Sequence, residues 1–143
     1  MNKYQLINDL YFTNDGDLRL DTSRSDLQDT KNFQYQGFIQ KVLNRIMCSK
    51  GDWLYRPDIG ANVTEFVGLP NTAETASQIK TRLFTELTKS SLVKSEDLDI
   101  VIFPTSKESI AILVRILPPN SQNQIILNFA YDLRNNKLVP RNI

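Results

Sequence analysis

The chain has 143 residues, with 17 basic and 16 acidic side chains for a net charge of +1. The two halves are nearly balanced, so a broad electrostatic grip on nucleic acid or anionic lipid is disfavoured. Hydrophobic residues make up 41%, enough for one core and too many for a disordered chain. There is no histidine and a single cysteine, Cys48, which removes His-based triads, most zinc sites and any internal disulfide framework. The longest unbroken apolar run, Ile110 to Val114, is too short for a membrane span or a signal-peptide core.

In chain order, Leu10-Tyr11-Phe12 and Leu18-Arg19-Leu20 flank Asn14-Asp15-Gly16-Asp17. This predicts two short strands about a turn. Over 30–47, the apolar residues Phe38, Ile39, Val42, Leu43, Ile46 and Met47 recur in pairs four apart, the stripe of a first helix. Asp26 or Asp29 would cap it, and Gly51 follows its end. Residues 51–60 hold two Gly and one Pro, which defeat regular structure. Yet Trp53, Leu54, Tyr55 and Ile59 are large and apolar, so the loop is expected to be ordered and anchored in the core, with Trp53 and Tyr55 as anchors. Ala61–Val67 reads as a short helix closed by Gly68-Leu69-Pro70.

Asn71, with Glu74 three residues on, predicts a capping box for a second long helix ending near Ser90. Ala76, Ile79, Leu83 and Leu87 would be its buried face, and Lys80, Arg82 and Glu86 its wet one. Three period-two segments follow, 98–103, 110–116 and 125–133, an antiparallel meander. The expected fold is α+β: two long helices packed on one face of a three- or four-stranded antiparallel sheet, with short N-terminal strands. It is expected as a single domain over 1–143, made of an N-terminal arm (1–25), a helical part (26–90), the meander (97–134) and a C-terminal tail (135–143).

The sheet's second face is not cleanly polar, since it carries Val101, Phe103, Ala111, Leu113, Leu117, Ile126 and Ala130. Either residues 1–25 fold back over it, or another chain packs there or adds a strand at the edge. The expected partner-binding residues are therefore Val101, Phe103, Leu113, Ile126, Asn128 and Ala130.

No catalytic frame is recognisable. Glu65, Glu74 and Glu86 fall on helices, while Asp52 and Asp58 fall in the loop, where they read as turn caps and partners of Arg56. The serines lack a nucleophile elbow, Gly60 and Gly68 lack the following Lys of a phosphate loop, and Cys48 reads as a small core residue. The expectation is no enzyme, cofactor or metal.

The frame of Gly51, Pro57 and Gly60 follows a helix ending Ile46-Met47 and precedes Asn62-Val63-x-x-Phe66. With the element order around it, this resembles the sheath-initiator family, the small baseplate wedge proteins of contractile phage tails, which includes a type VI secretion baseplate component. The likeness spans about residues 15–130 and makes Gly51, Trp53, Pro57 and Gly60 a structural motif loop. It departs from the family where Lys89-Ser90-Ser91-Leu92-Val93 replaces a Glu-Pro-Arg triplet.

The resemblance implies a non-catalytic virion protein of the tail baseplate, assembled in the host cytoplasm in six copies. Its partners would be the tail sheath protein, other wedge proteins and the tail tube, with no nucleic acid or membrane. Sheath subunits would add β-strands to its sheet, so that proline at Ile126 or Leu127 would block assembly. The other readings are a part of a type VI secretion or tailocin-like machine, an intracellular adaptor or regulator of the same fold, and a cell-wall hydrolase.

Overall fold

The computed structural model describes residues 9–12, 17–21, 23, 26–27, 29–30, 35–119, 122–135 and 137–141. The chain divides into two compact units, residues 1–43 and 44–143.

In the first unit, strand β1 (Leu20–Asp21) pairs antiparallel with β2 (Asp26–Leu27). Single bridges join Phe12 to Leu18 and Leu10 to Asp29. The expected turn residues Asn14, Asp15 and Gly16 lie outside the described residues, but the Phe12–Leu18 bridge closes across them. Helix α1 (Gln36–Met47) begins later than its stripe suggested. Asp26 and Asp29 do not cap it, because one lies in β2 and the other in a bridge. Within this unit, buried Gln40 donates to the Leu10 carbonyl (2.8 Å) and accepts from the Phe12 N–H (2.9 Å), tying the extended arm to the helix.

The last turn of α1 opens the second unit. Phe38, Val42 and Ile46, four apart, form its buried stripe, while Met47 is exposed. The loop 48–60 and a 3-10 turn, Val63–Phe66, lead to helix α2 (Ala73–Thr88), which tightens into a 3-10 turn at Lys89–Ser91. Thr72 caps α2, its hydroxyl accepting from the Thr75 N–H (3.3 Å). Asn71, the expected cap, serves elsewhere: its amide donates to the carbonyls of Ser106 (2.6 Å) and Ser109 (3.2 Å).

Strands β3 (Leu98–Pro104), β4 (Ser109–Ile116), β5 (Ile125–Asp132) and β6 (Lys137–Arg141) form one antiparallel sheet in that order. Burial in β4 alternates without a break, as a sheet covered on one face requires. Ile100, Ile110, Ile112, Val114, Ile116, Phe129 and Tyr131 are fully buried, as are Ile79, Leu83 and Leu87 of α2. The Tyr131 hydroxyl donates to the Val63 carbonyl (2.9 Å). Burial pushes that phenol up, with the Asp132 carboxylate adding to the shift.

The fold is α+β, but the expected pair of long helices is corrected. One helix is long, α2 with 16 residues, and it lies along β3; α1 has 12. The first helix was expected from residue 30, but α1 starts at Gln36: Asp29 lies in a bridge and the Thr30 N–H donates to the Asp9 carbonyl (2.8 Å). Residues 135–143, expected as a tail, contribute β6.

Candidate interaction surfaces

Two surfaces of the second unit stand out: the free edge of the sheet with the face behind it, and the tip of loop 48–60.

The register fixes which backbone groups of β3 are spare. The Leu117 N–H donates to the Asp97 carbonyl (2.9 Å). Hydrogen-bonded pairs in an antiparallel ladder recur every second residue. Asp99, Val101 and Phe103 therefore bond to Arg115, Leu113 and Ala111, while Leu98, Ile100 and Ile102 turn their N–H and C=O groups away from β4; the Leu98 N–H donates to the Ser95 carbonyl, which leaves both groups of Ile100 and Ile102 outward. Among the described residues no strand pairs with that side. The opposite rim differs. The Leu133 N–H donates to the Glu108 carbonyl (2.8 Å), so Asn128, Ala130 and Asp132 bond to β6 and the outward groups are those of Leu138 and Pro140. Proline has no N–H to offer, so this rim is blunted.

Beside the open β3 edge lies a groove of about 440 Å³, walled by Ala73, Ala76, Ser77 and Lys80 of α2 and floored by Ile100 and Ile102. The small side chains of α2 leave this space, and Asn71 holds the β3–β4 turn to the start of the helix.

The expected partner-binding residues come together on the second face. Val101 pairs with Leu113 and Leu113 with Asn128, Phe103 and Ala130 flank Ala111, and Ile126 sits beside Arg115. Phe103 and Ile126 are exposed, and the other four are half-buried. Arg115 forms an ion pair with Asp99 on this face. The pairing groups themselves belong to Ile100 and Ile102, which the sequence reading missed because it could not see which strand was outermost. Ile126 and Leu127 lie in β5, flanked by β4 and β6. Proline there would break interior pairing and would not probe the edge.

The loop is ordered, but not in the expected way. The Gly51 N–H donates to the Pro57 carbonyl (3.0 Å), and Asp52 accepts from the Ser49 N–H (2.9 Å). Arg56 binds both carboxylate oxygens of Asp58 (3.1 and 3.2 Å), and that guanidinium holds the carboxyl below the usual carboxylate range. Gly60, fully enclosed, donates its N–H to Glu86 (2.8 Å). Glu86 was expected on the wet face of α2, but it is 3% exposed and paired with Lys89 (3.2 Å). Arg45 donates to the carbonyls of Glu86 (3.1 Å) and Lys89 (2.5 Å), and burial lowers its pKa.

These bonds fix the base, and Gly60 and Ala61 enter the core. Trp53, Leu54 and Tyr55 do not: they are 47%, 83% and 92% exposed. The backbone anchors this loop, so its large side chains are free to point outward. Cys48, expected in the core, is half-buried and accepts from the Trp53 indole N–H (3.1 Å).

Of the carboxylates weighed for catalysis, Asp52, Asp58 and Glu86 serve the loop in these ways, Glu65 pairs with Arg82 (2.8 Å) and Glu74 lies in the first turn of α2. Among the described residues no group of three or more His, Cys, Asp or Glu side chains is placed to hold a metal ion. No helix among them is long and apolar enough to cross a membrane. Comparison with protein-family models, with curated proteins and with solved structures gave no match.

Proposed function

We propose that this chain is a structural part of a contractile tail baseplate, or of a related injection machine, that starts sheath assembly by accepting a β-strand at the β3 edge and docks on neighbouring wedge proteins. The supporting observation is the open edge itself: Ile100 and Ile102 offer outward backbone groups beside a groove, while the far rim is blunted by Pro140. An incoming strand gains about 1 kcal/mol net per main-chain hydrogen bond with little demand on its sequence. Repetition around a six-fold ring turns modest contacts into firm attachment. The sheath-initiator likeness in the loop frame supplies the partner, the sheath subunit.

The test is Ile102→Pro in the particle-producing genome. It removes an outward N–H, the one kind of strand position where proline leaves the ladder intact. Baseplates and tubes without sheath are expected, from a protein whose melting is close to wild type. A second measurement is hydrogen exchange in the assembled particle, where the amides of Ile100 and Ile102 should gain protection. Normally sheathed tails, or an edge that exchanges as in the free protein, would overturn the proposal.

A further inference from the structure

The groove beside the β3 edge restricts which strand can add there, a point that rests on the strand-accepting reading above. Residues opposite each other in a ladder share a face of the sheet. Ile100 and Ile102 face the groove, so every second side chain of an incoming strand enters it. The groove has two unlike ends. Asn71 binds the carbonyls of Ser106 and Ser109, so α2 starts at the β3–β4 turn and runs back along β3. Ala73 to Lys80 rises about 10 Å along the helix, and Pro104 back to Ile100 spans about 13 Å of strand. Ala73 and Ala76 therefore stand toward Pro104 and Ile102, and Lys80 toward Ile100.

At the first end the alanines leave room for an aliphatic side chain, whose burial adds affinity. Lys80 sets the other end. Its neighbours one turn away, Ala76, Ser77, Leu83 and Phe84, are uncharged. Among the described residues no carboxylate pairs with it, whereas Arg82 pairs with Glu65 and Lys89 with Glu86. An apolar side chain laid over this ammonium would strip water from it and return nothing. A carboxylate would pair with it in a groove that the strand itself has partly dried. Neither edge strand of a second copy supplies one. Its β3 would present Leu98, Ile100 and Ile102 to the groove and its single acid, Asp99, to the other face, while β6 has no acid and carries Pro140. We infer that the accepted strand belongs to a different protein and carries an aliphatic side chain opposite Ile102 and, at the next groove-facing position toward Ile100, an Asp or Glu that pairs with Lys80.

The test compares Lys80→Glu, Lys80→Arg and Ile102→Pro in the particle-producing genome. Lys80 is exposed, so both of its variants should melt as wild type does. Lys80→Glu should lower the fraction of sheathed tails about tenfold or more, because repulsion replaces the pair in every copy; Lys80→Arg keeps the charge and should leave tails sheathed. In intact wild-type particles a carbodiimide, which joins an amine to a carboxylate in contact, should link Lys80 to an Asp or Glu of the sheath subunit, and Lys80→Arg should lose that link. Normally sheathed tails in Lys80→Glu, no link, or a link only to a second copy or to a wedge protein would overturn the inference. The two proposals fail separately. If Ile102→Pro strips the sheath and Lys80→Glu does not, only the acidic strand falls; if Ile102→Pro leaves tails sheathed, the strand-accepting edge itself falls.

Discussion

Gly60 is the most constrained point of the motif loop, and replacing it with alanine isolates the reason. A Cβ built on Gly60 would lie 2.4 Å from the Ser49 carbonyl carbon, 2.6 Å from the Lys50 nitrogen and 2.9 Å from the Cys48 oxygen. All three are backbone atoms, so no side chain can swing aside. Its φ of +143° adds strain for any L-residue. Overpacking of this kind costs about 1–3 kcal/mol. If the chain yields, the Gly60 N–H leaves the Glu86 carboxylate, and a hydrogen bond to a charged group contributes about 1.5–3 kcal/mol.

Gly60→Ala should therefore cost about 3–5 kcal/mol, a large share of the total stability of a typical domain. Gly51 is the internal control. Its φ is +94°, but nothing lies within 4 Å of its added Cβ, so Gly51→Ala should cost only about 1–2 kcal/mol. Urea unfolding followed by far-UV circular dichroism gives both values, and the emission of Trp53, the sole tryptophan, reports the loop. Equal costs at the two glycines would refute the close approach at Gly60.

Two further outcomes follow from the same region and from the β5–β6 turn. Glu86→Ala strands the Gly60 N–H, takes the ion-pair partner from Lys89 and removes the negative charge that acts on Arg45, so it should cost about 2–4 kcal/mol, the upper figure tempered because Lys89 is partly solvated. Glu86→Gln keeps an acceptor and should cost roughly half of that in the same urea assay; equal costs would mean that the retained acceptor contributes nothing and the charge carries the whole effect. Asp132 accepts from the N–H groups of Arg134 (2.9 Å) and Asn135 (3.2 Å), which hold its carboxyl below the usual range. Asp58 is held low by Arg56. A depressed folded-state pKa means that the unfolded chain binds more protons in acid. The stabilisation is thus complete above the usual carboxylate range and lost as pH falls through the folded values. Asp132→Asn should flatten the acid limb of stability against pH, measured by urea titrations between about pH 3 and about pH 6; an unchanged slope would remove Asp132 from that account.

Period-two alternation carried the meander because each strand is covered on one face and the pattern is local. The outermost strand is a different kind of information. It depends on β6, whose five residues include Pro140 and show little alternation. Glu86 was misplaced although a signal existed: it stands seven residues after Ile79 and three after Leu83, on the apolar stripe of α2. A charge on such a stripe marks a buried, partnered group, and the Gly60 N–H that partners it is 26 residues away and invisible in the helix pattern. Trp53 and Tyr55 were misread because apolarity was taken for burial. Tight backbone bonding had already anchored the loop, so these side chains were not needed for that purpose.

The two rims of the sheet carry the functional argument furthest. Proteins guard exposed sheet edges with charge, proline or cover, because an open edge recruits other chains. The β6 rim is guarded by Pro140 at an outward position. The β3 rim is the more hazardous of the two: Leu98–Pro104 carries one charge, Asp99, amid Ile100, Val101, Ile102 and Phe103. Its proline stands at the very end, where it leaves Leu98, Ile100 and Ile102 untouched. Small residues of α2 keep a channel clear alongside, although larger apolar ones would close it and add burial at about 25 cal/mol per Å². An edge that forgoes both protection and stability in this way has the features expected of an acceptor. Filling the channel with Ala76→Leu should therefore raise stability and abolish strand acceptance together, a pairing that a merely neglected edge would not produce.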